Sequence, residues 1–492
     1  MARNLARLAE ASLERTGDYP SLNFDGEWLS SGELQARARR LAGGLTELGI
    51  APGDRVVVFA ANRPEVGIAY NAIWRAGGVV TPAIFLLPTP ELRNIVDDAE
   101  PRALITTPEF ADTAREAAAD ARVIVTDEFE ELESAGELPV VDRAESDLAA
   151  LMYTGGTTGR AKGVMLSHES LWLAGKAARD AGYVPGIVRG LTALPLSHAY
   201  GLLVTVYGLH AVEQEPSVLM RWFAADRWLE LAAEHRAQIA AVVPTMLQLL
   251  LAEPIEQHDL SELRYLASGA APLVPELVHE LARRLPHVEV REGYGLTETS
   301  ALVSSTPPGK ARIGSVGLPV PGVEVAILDA EYRELPTGDV GEICCRSALV
   351  MRGYWRAPEL TAEVVRDGWL HTGDLGRVDD DGYLYVVDRK KDLIIRGGFN
   401  VFPRDVEEAL LEHEAVEAAA VVGRPDPECG EEVVAFVAGK VDPDELVAWS
   451  RTRIGGYKYP REVHVVGAIP LTPIGKVDRK ALRARLLDRV EA

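Results

Sequence analysis

Cysteine is scarce: the 492-residue chain has three, Cys344, Cys345 and Cys429. Two are adjacent and the third is remote, so neither a disulfide framework nor a sequential metal-ligand spacing is present. That usage predicts a reducing, cytoplasmic setting. Positive charge is also short, with a net charge of −23. A surface this acidic repels phosphate polyanions, so no nucleic-acid partner is expected. An anionic cofactor needs only a few local cations. Residues Met1 to Asp18 lack the apolar core of a secretory signal. Internal repeats and low-complexity segments are absent as well. Aromatic residues make up 6% of the chain.

The stretch Leu191–Val212 contains no Asp, Glu, Lys or Arg and is long enough to span a bilayer. Pro195, Ser197, His198, Tyr200 and His210 interrupt it, so a buried strand running into a buried helix is expected, with no membrane span. Lysine is rare too. Nine are present, none before Lys162. Lys162, Lys390, Lys391 and Lys476 fall in the motifs below, where a compact ammonium is not interchangeable with a guanidinium.

What is present is strand–helix alternation. Arg55–Ala60, Gly77–Ile84, Leu104–Thr107, Arg122–Thr126 and Leu148–Thr154 read as strands, with a helix over Glu65–Ala76. Ile239–Val243, Leu263–Ser268 and Val288–Tyr294 continue the series. This order predicts an α/β fold whose large N-terminal domain is built of mostly parallel, helix-covered sheets. After Pro307, the runs Val323–Leu328 and Val340–Cys345 with turn signals between them predict a small, mostly antiparallel β unit. Glu109–Glu137 reads as a solvated helix and loop. The pattern changes again near Asp388–Asp392, to Gly-rich loop, helix, strand, helix. A boundary there gives an N-terminal domain of residues 1–389 and a small α+β domain of residues 390–492.

The strongest local signal is Tyr153–Val164, YTGGTTGRAKGV. A strand leads into a loop of glycines and threonines that ends near a lysine. Bare backbone N–H groups, hydroxyls and a point charge are the equipment for holding a polyphosphate. It is not a Walker A loop, because no Ser or Thr follows Lys162.

The loop resembles the signature of the adenylate-forming superfamily, which includes acyl- and aryl-CoA synthetases, peptide-synthetase adenylation domains and beetle luciferases. The usual form is Tyr-Thr-Ser-Gly-Thr-Thr-Gly-x-Pro-Lys-Gly. Gly155 here replaces the serine and Ala161 the proline, which removes a hydroxyl and loosens the loop, so a weaker phosphate grip is expected. Further segments follow in the family's order, and the resemblance covers nearly the whole chain. They are Leu194–Gly201 (LPLSHAYG), Ser268–Pro272 (SGAAP), Glu292–Thr299 (EGYGLTET), Trp369–Gly376 (WLHTGDLG), Asp388–Pro403 (DRKKDLIIRGGFNVFP) and Pro470–Lys480 (PLTPIGKVDRK).

The resemblance implies roles. Thr154, Gly155, Gly156, Thr157, Thr158, Gly159 and Lys162 would grip the phosphates. Gly269, Ala270, Ala271, Gly293 and Tyr294 would border the adenine, and Thr297 would touch phosphate. Asp374 would bind the ribose hydroxyls, and Arg389 the ribose or phosphates. Glu298, with Thr158, would hold Mg²⁺, which prefers hard oxygen ligands shared with phosphate. His198, Tyr200, Gly201, Ser268 and Gly295 would line the acid pocket. Lys391 would be the hinge, and Gly397 and Gly398 would face the thiol. Lys476 would bridge the acid's carboxylate and the α-phosphate.

The implied reaction uses ATP, Mg²⁺ and coenzyme A to turn a carboxylic acid into an acyl-adenylate and then a thioester. His198 and the small residues Gly269, Ala270 and Ala271 point to an apolar, uncharged acid: fatty, aryl or a bulky natural product. A ligase loading a carrier protein and a luciferase-like oxygenase are the alternatives. An amino-acid adenylation domain is disfavoured, because Leu194–Gly201 offers no aspartate for an α-ammonium. A regulator that had lost catalysis would be expected to lack Glu298 or Lys476. Oligomeric state is left open, a homo-oligomer included.

Overall fold

The computed structural model describes residues 3–154, 161–397, 399–454, 456–472 and 476–490. They divide into two compact units. One comprises Met1–Val325, Cys345–Leu370 and Gly382–Leu384, and the other Ala326–Cys344, His371–Asp381 and Tyr385–Ala492. The second unit thus takes in part of the segment read as a small β unit.

The first unit holds two large sheets. The six-stranded sheet runs in the order Arg122–Val125, Ala103–Thr106, Arg55–Phe59, Val79–Ala83, Leu148–Thr154, Lys162–Ser167. Its pairs are parallel except the last, a hairpin in which Thr154 faces Lys162. Val56, Val57, Val58 and Phe59 are almost wholly buried, as expected of a parallel strand covered on both faces. The nine-stranded sheet runs Leu318–Pro319, Ser304–Ser305, Glu289–Tyr294, Tyr265–Ser268, Ile239–Val242, Gly190–Thr192, Ser217–Leu219, Pro20–Phe24, Glu27–Ser30. Its central pairs are parallel.

The charge-free stretch folds as expected, into the strand Gly190–Thr192 and the helix Ala199–Leu209. Among the described residues, no helix is long and apolar enough to cross a membrane. Glu109–Glu137 holds the expected helix, Ala111–Ala117, the strand read at Arg122–Thr126, observed as Arg122–Val125, and short helical turns. Ala111, Ala114, Ala117 and Phe129 are buried, so this segment contributes core as well as surface.

In the second unit, the strands Phe399–Val401, Ile394–Arg396, Gly430–Gly439 and Val416–Asp426 form a sheet, with Glu462–Val465 added parallel to Gly430–Gly439. The helices Pro403–Leu411, Pro443–Arg451 and Arg479–Val490 complete this α+β unit. Val421, Val433, Ala435 and Val437 form part of its core.

Two histidines are buried as neutral bases in the first unit. His168 is wholly buried and accepts the Leu5 N–H at Nδ1, 3.3 Å away. Burial, aided by the Arg143 charge, lowers its pKa to about 4. Burial also lowers His210 to about 4, although its Nε2 meets the Trp172 carbonyl at 2.9 Å. An unfolded histidine takes its proton near 6.5. The stabilisation is therefore complete above that pH and is lost as pH falls toward the folded value of about 4. Each histidine is expected to cost about 2 kcal/mol of stability between pH ~7 and ~5. Urea midpoints across that range should show the loss, and His168→Gln should flatten it; an unchanged slope contradicts the assignment.

Candidate functional site

The hairpin Leu148–Thr154/Lys162–Ser167 places the predicted phosphate loop between its strands. Thr154 and Lys162 are register partners at its mouth. Gly155, Gly156, Thr157, Thr158 and Gly159 lie outside the described residues. A third segment runs along the hairpin. Arg352 N–H donates to the Met165 carbonyl (2.9 Å), Met165 N–H to Gly353 (3.0 Å), and Trp355 N–H to Gly163 (2.7 Å). A Cβ on Gly163 would sit 3.0 Å from Leu151 Cδ1 and 3.1 Å from Trp355 Cβ, so glycine permits this approach.

That pairing delivers Tyr354 between two predicted site residues. Lys162 Nζ lies 5.1 Å from the Tyr354 ring centroid, within cation–π range. The Tyr354 hydroxyl donates to Glu298 Oε1 at 2.9 Å. Met351 N–H donates to the Glu298 carbonyl at 2.8 Å, fixing the same residue through its backbone. Burial, then the Glu298 charge, pushes the Tyr354 phenol far above its usual range, so it stays protonated as a donor. A cation, a phenol and a carboxylate are thereby set in one row. Tyr354 was not among the residues singled out from sequence. The signal was Arg352-Gly353-Tyr354-Trp355, where Gly353 has φ +133°.

The predicted adenine-side residues meet at the C-terminal ends of adjacent parallel strands, where α/β sheets open their ligand crevices. Ser268 pairs in register with Glu292. A Cβ on Gly269 would lie 3.4 Å from the Gly293 carbonyl and 3.5 Å from Tyr200 Cε1. The Tyr200 hydroxyl donates to the Ala267 carbonyl at 2.8 Å. Gly269, Gly293 and Tyr200 are therefore brought together. Ala270 has φ +68° and Ala271 continues the turn. Ser268 is buried. Tyr294 ends its strand opposite Ser304. Thr297 and Glu298 open a short helical turn, Thr297–Thr299. Gly295 packs against the Ala301 carbonyl, which a Cβ would meet at 2.3 Å.

His198 caps the helix Ala199–Leu209, its Nδ1 accepting the Tyr200 N–H at 3.2 Å. A Cβ on Gly201 would strike the Pro195 carbonyl at 2.1 Å. This loop is held by two further residues that the sequence reading passed over. Asn62 Nδ2 donates to the carbonyls of Leu194 (2.8 Å) and Met220 (3.1 Å), and its Oδ1 accepts the Leu196 N–H (2.9 Å). The Tyr70 hydroxyl donates to the Leu196 carbonyl at 3.2 Å. The structure thus gives His198 a positioning contact, and its pocket role rests on the resemblance.

In the second unit, Asp374 is 5% exposed. Arg389 Nε lies 3.1 Å from its Oδ1. Lys390 N–H donates to the Gly373 carbonyl (2.9 Å), and Lys390 Nζ reaches Glu342 Oε2 (3.0 Å). Burial alone would raise the Glu342 pKa, but the Lys390 ammonium and His371 hold it below the usual range. Lys391 is exposed. Burial raises the neighbouring Asp388 carboxyl, which accepts from Arg389 N–H (2.7 Å) and Arg404 N–H (3.0 Å). Gly397, at φ +57°, donates its N–H to Cys429 at 2.7 Å, whereas Gly398 lies outside the described residues. Lys476 is bonded to Thr472. Its N–H donates to Thr472 Oγ1 (3.2 Å), and its carbonyl accepts the Thr472 N–H (2.7 Å).

Glu298 offers the hard carboxylate oxygen that Mg²⁺ requires, and its hydrogen bond from Tyr354 orients it. That donor set fits the metal. Its other implied ligand, Thr158, is outside the described residues.

Residues 9–355 match the family described as AMP-binding enzyme, and residues 405–476 match the AMP-binding enzyme C-terminal domain. A feruloyl-CoA synthase from Amycolatopsis sp is 39% identical over 94% of this chain and 95% of its own. A long-chain-fatty-acid–CoA ligase from Bacillus subtilis is 34% identical over 99% and 94%. The ATP-bound structure of MatB from Rhodopseudomonas palustris superposes with a TM-score of 0.92 at 33% identity, covering 99% of both chains.

Proposed function

The chain belongs to the AMP-binding enzyme family and is an acid–thiol ligase of the AMP-forming type, and from that premise we propose that it joins an apolar carboxylic acid to coenzyme A through an acyl-adenylate. The observation that carries this reading is the row Lys162–Tyr354–Glu298, whose lysine belongs to the predicted phosphate motif. Arylpropenoic acids stand first among the acids, because the feruloyl-CoA synthase shares 39% identity with this chain. Long-chain fatty acids stand second. We assign the enzyme to the cytoplasm on its cysteine usage.

A carboxylate approaching an α-phosphate meets like charge, and the resulting anhydride is open to hydrolysis. The site must therefore neutralise the crowded anions and exclude water. Lys162 would supply a cation to the phosphates. Tyr294, Gly269 and Gly293 form a wall for the adenine, and Asp374, oriented by Arg389, accepts from the ribose diol. Mg²⁺, held by Glu298 and Thr158, would neutralise charge on the departing pyrophosphate. Lys476 would stabilise the charge at the acid–phosphate junction. Once pyrophosphate has left, a turn about Lys391 would withdraw Lys476 and bring Gly397 and Gly398 to the thiol. The thiol sulfur would then attack the acyl carbon, and AMP would leave.

Lys391→Pro, which stiffens the proposed hinge, is expected to slow thioester formation at least about tenfold while leaving adenylation within about threefold. Stopped-flow comparison of the two steps checks this. The function itself is tested by incubating the protein with ATP, CoA and either ferulate or a long-chain fatty acid. Mass spectrometry should find the matching acyl-CoA and AMP. Acyl transfer only to a carrier protein would contradict the CoA assignment.

A further inference from the structure

Outside the nucleotide site, the second unit gathers three metal-ligating side chains whose spacing in sequence gave no sign of it. Glu342 and Cys344 lie two apart on the strand Gly341–Arg346, so they share a face. His371 lies on the neighbouring strand Trp369–Val378, where the Thr372 hydroxyl donates to the Ile343 carbonyl at 2.7 Å. His371 Nδ1 is 3.3 Å from Cys344 Sγ and 3.3 Å from Glu342 Oε2. The three ligand atoms all fall within 4.8 Å of one another. We propose that Glu342, Cys344 and His371 form a binding site for a thiophilic divalent cation of the zinc class.

The dimensions fit. Zinc–ligand bonds of about 2.0–2.3 Å place tetrahedral ligand atoms roughly 3.3–3.8 Å apart. The sulfur–nitrogen and nitrogen–oxygen separations, both 3.3 Å, are at the short end of that range. A single N–H on Nδ1 cannot point well at sulfur and carboxylate together, whereas one cation between them engages both. A thiolate, an imidazole and one carboxylate oxygen suit zinc and exclude a magnesium-type preference. Three protein ligands leave a fourth position for water.

Supporting contacts are present. The Gly373 N–H holds Glu342 Oε1 at 3.1 Å, which fixes the carboxylate and leaves Oε2 toward His371. Lys390 Nζ occupies that same Oε2 at 3.0 Å, on a side chain 52% exposed. A cation would displace this ammonium toward solvent, and that opening is the entry path. Proton balance is simple: the Cys344 thiol releases one proton, His371 binds through Nδ1 as its neutral Nε2–H tautomer, and Glu342 is already a carboxylate.

The test uses the full-length Cys429→Ser protein, because Asp426, Cys429 and Glu432 form a second cluster that could bind metal. After chelator treatment, Co²⁺ is titrated in. At one equivalent, a thiolate-to-cobalt charge-transfer band should appear, about one proton should be released, and Zn²⁺ should abolish the band. Cys344→Ser should lose the band, and Cys345→Ser, whose side chain alternates to the other face, should keep it. Glu342→Gln, nearly isosteric, should weaken cobalt binding at least about tenfold. No thiolate band at one equivalent, a band surviving in Cys344→Ser, or unchanged cobalt affinity in folded Glu342→Gln would each overturn the site.

Discussion

Lys476→Ala is expected to lower acid-dependent pyrophosphate exchange by roughly 100- to 1,000-fold, the effect of deleting a preorganised donor aimed at charge that develops in the transition state. Thioester formation from supplied acyl-adenylate should stay within about threefold of the parent, because the proposed mechanism withdraws this lysine before the thiol attacks. The substitution is clean for a structural reason. Lys476 is tied to Thr472 through its own backbone N–H and carbonyl, and alanine keeps both bonds. Rapid-quench measurement of the two half-reactions separates the outcomes. Equal loss in both would remove the distinction between a group for adenylation and a face for thiol transfer.

Glu298→Gln is expected to reduce adenylation about 100-fold and to raise the Mg²⁺ concentration needed for half-maximal rate at least about tenfold, because an amide oxygen is a poorer ligand for a hard cation than a carboxylate. The glutamine carbonyl can still accept from Tyr354, and the backbone bond from Met351 is untouched, so the row of groups keeps its shape. Tyr354→Phe provides the contrast. It removes one hydrogen bond to a charged acceptor while leaving the charge in place, and a loss of about tenfold in rate is expected. A Mg²⁺ profile that is the same in Glu298→Gln and the parent would remove Glu298 from the metal.

The parts of the fold legible in the sequence were those written in local pattern. Arg55–Phe59 is a run of β-branched and aromatic residues and was placed to within a residue. The charge-free stretch was read as a strand running into a helix, and Gly190–Thr192 and Ala199–Leu209 are those elements. The C-terminal region was read with fewer strands than it has. Val416–Asp426 and Gly430–Gly439 pair along their length, but their alanines and the prolines Pro425 and Pro427 at the connecting turn blur the alternation. In the site, the naming of Gly269, Gly293 and Tyr200 followed from their motifs. Tyr354 did not, because its position between Lys162 and Glu298 is set by backbone pairing across almost two hundred residues of sequence. Asn62 escaped for the same reason: its three bonds reach loops beyond residue 190. Glu342 and Cys344 advertise a shared face, yet only the adjoining strand supplies His371.

The central claim is that this chain adenylates a carboxylic acid, and acid-dependent exchange of labelled pyrophosphate into ATP tests it most directly. With arylpropenoic and long-chain fatty acids presented in turn, label should enter ATP only when a fitting acid and Mg²⁺ are both present, and Lys476→Ala should suppress it. Exchange that ignores the acid, or that never appears with any acid offered, would contradict the account.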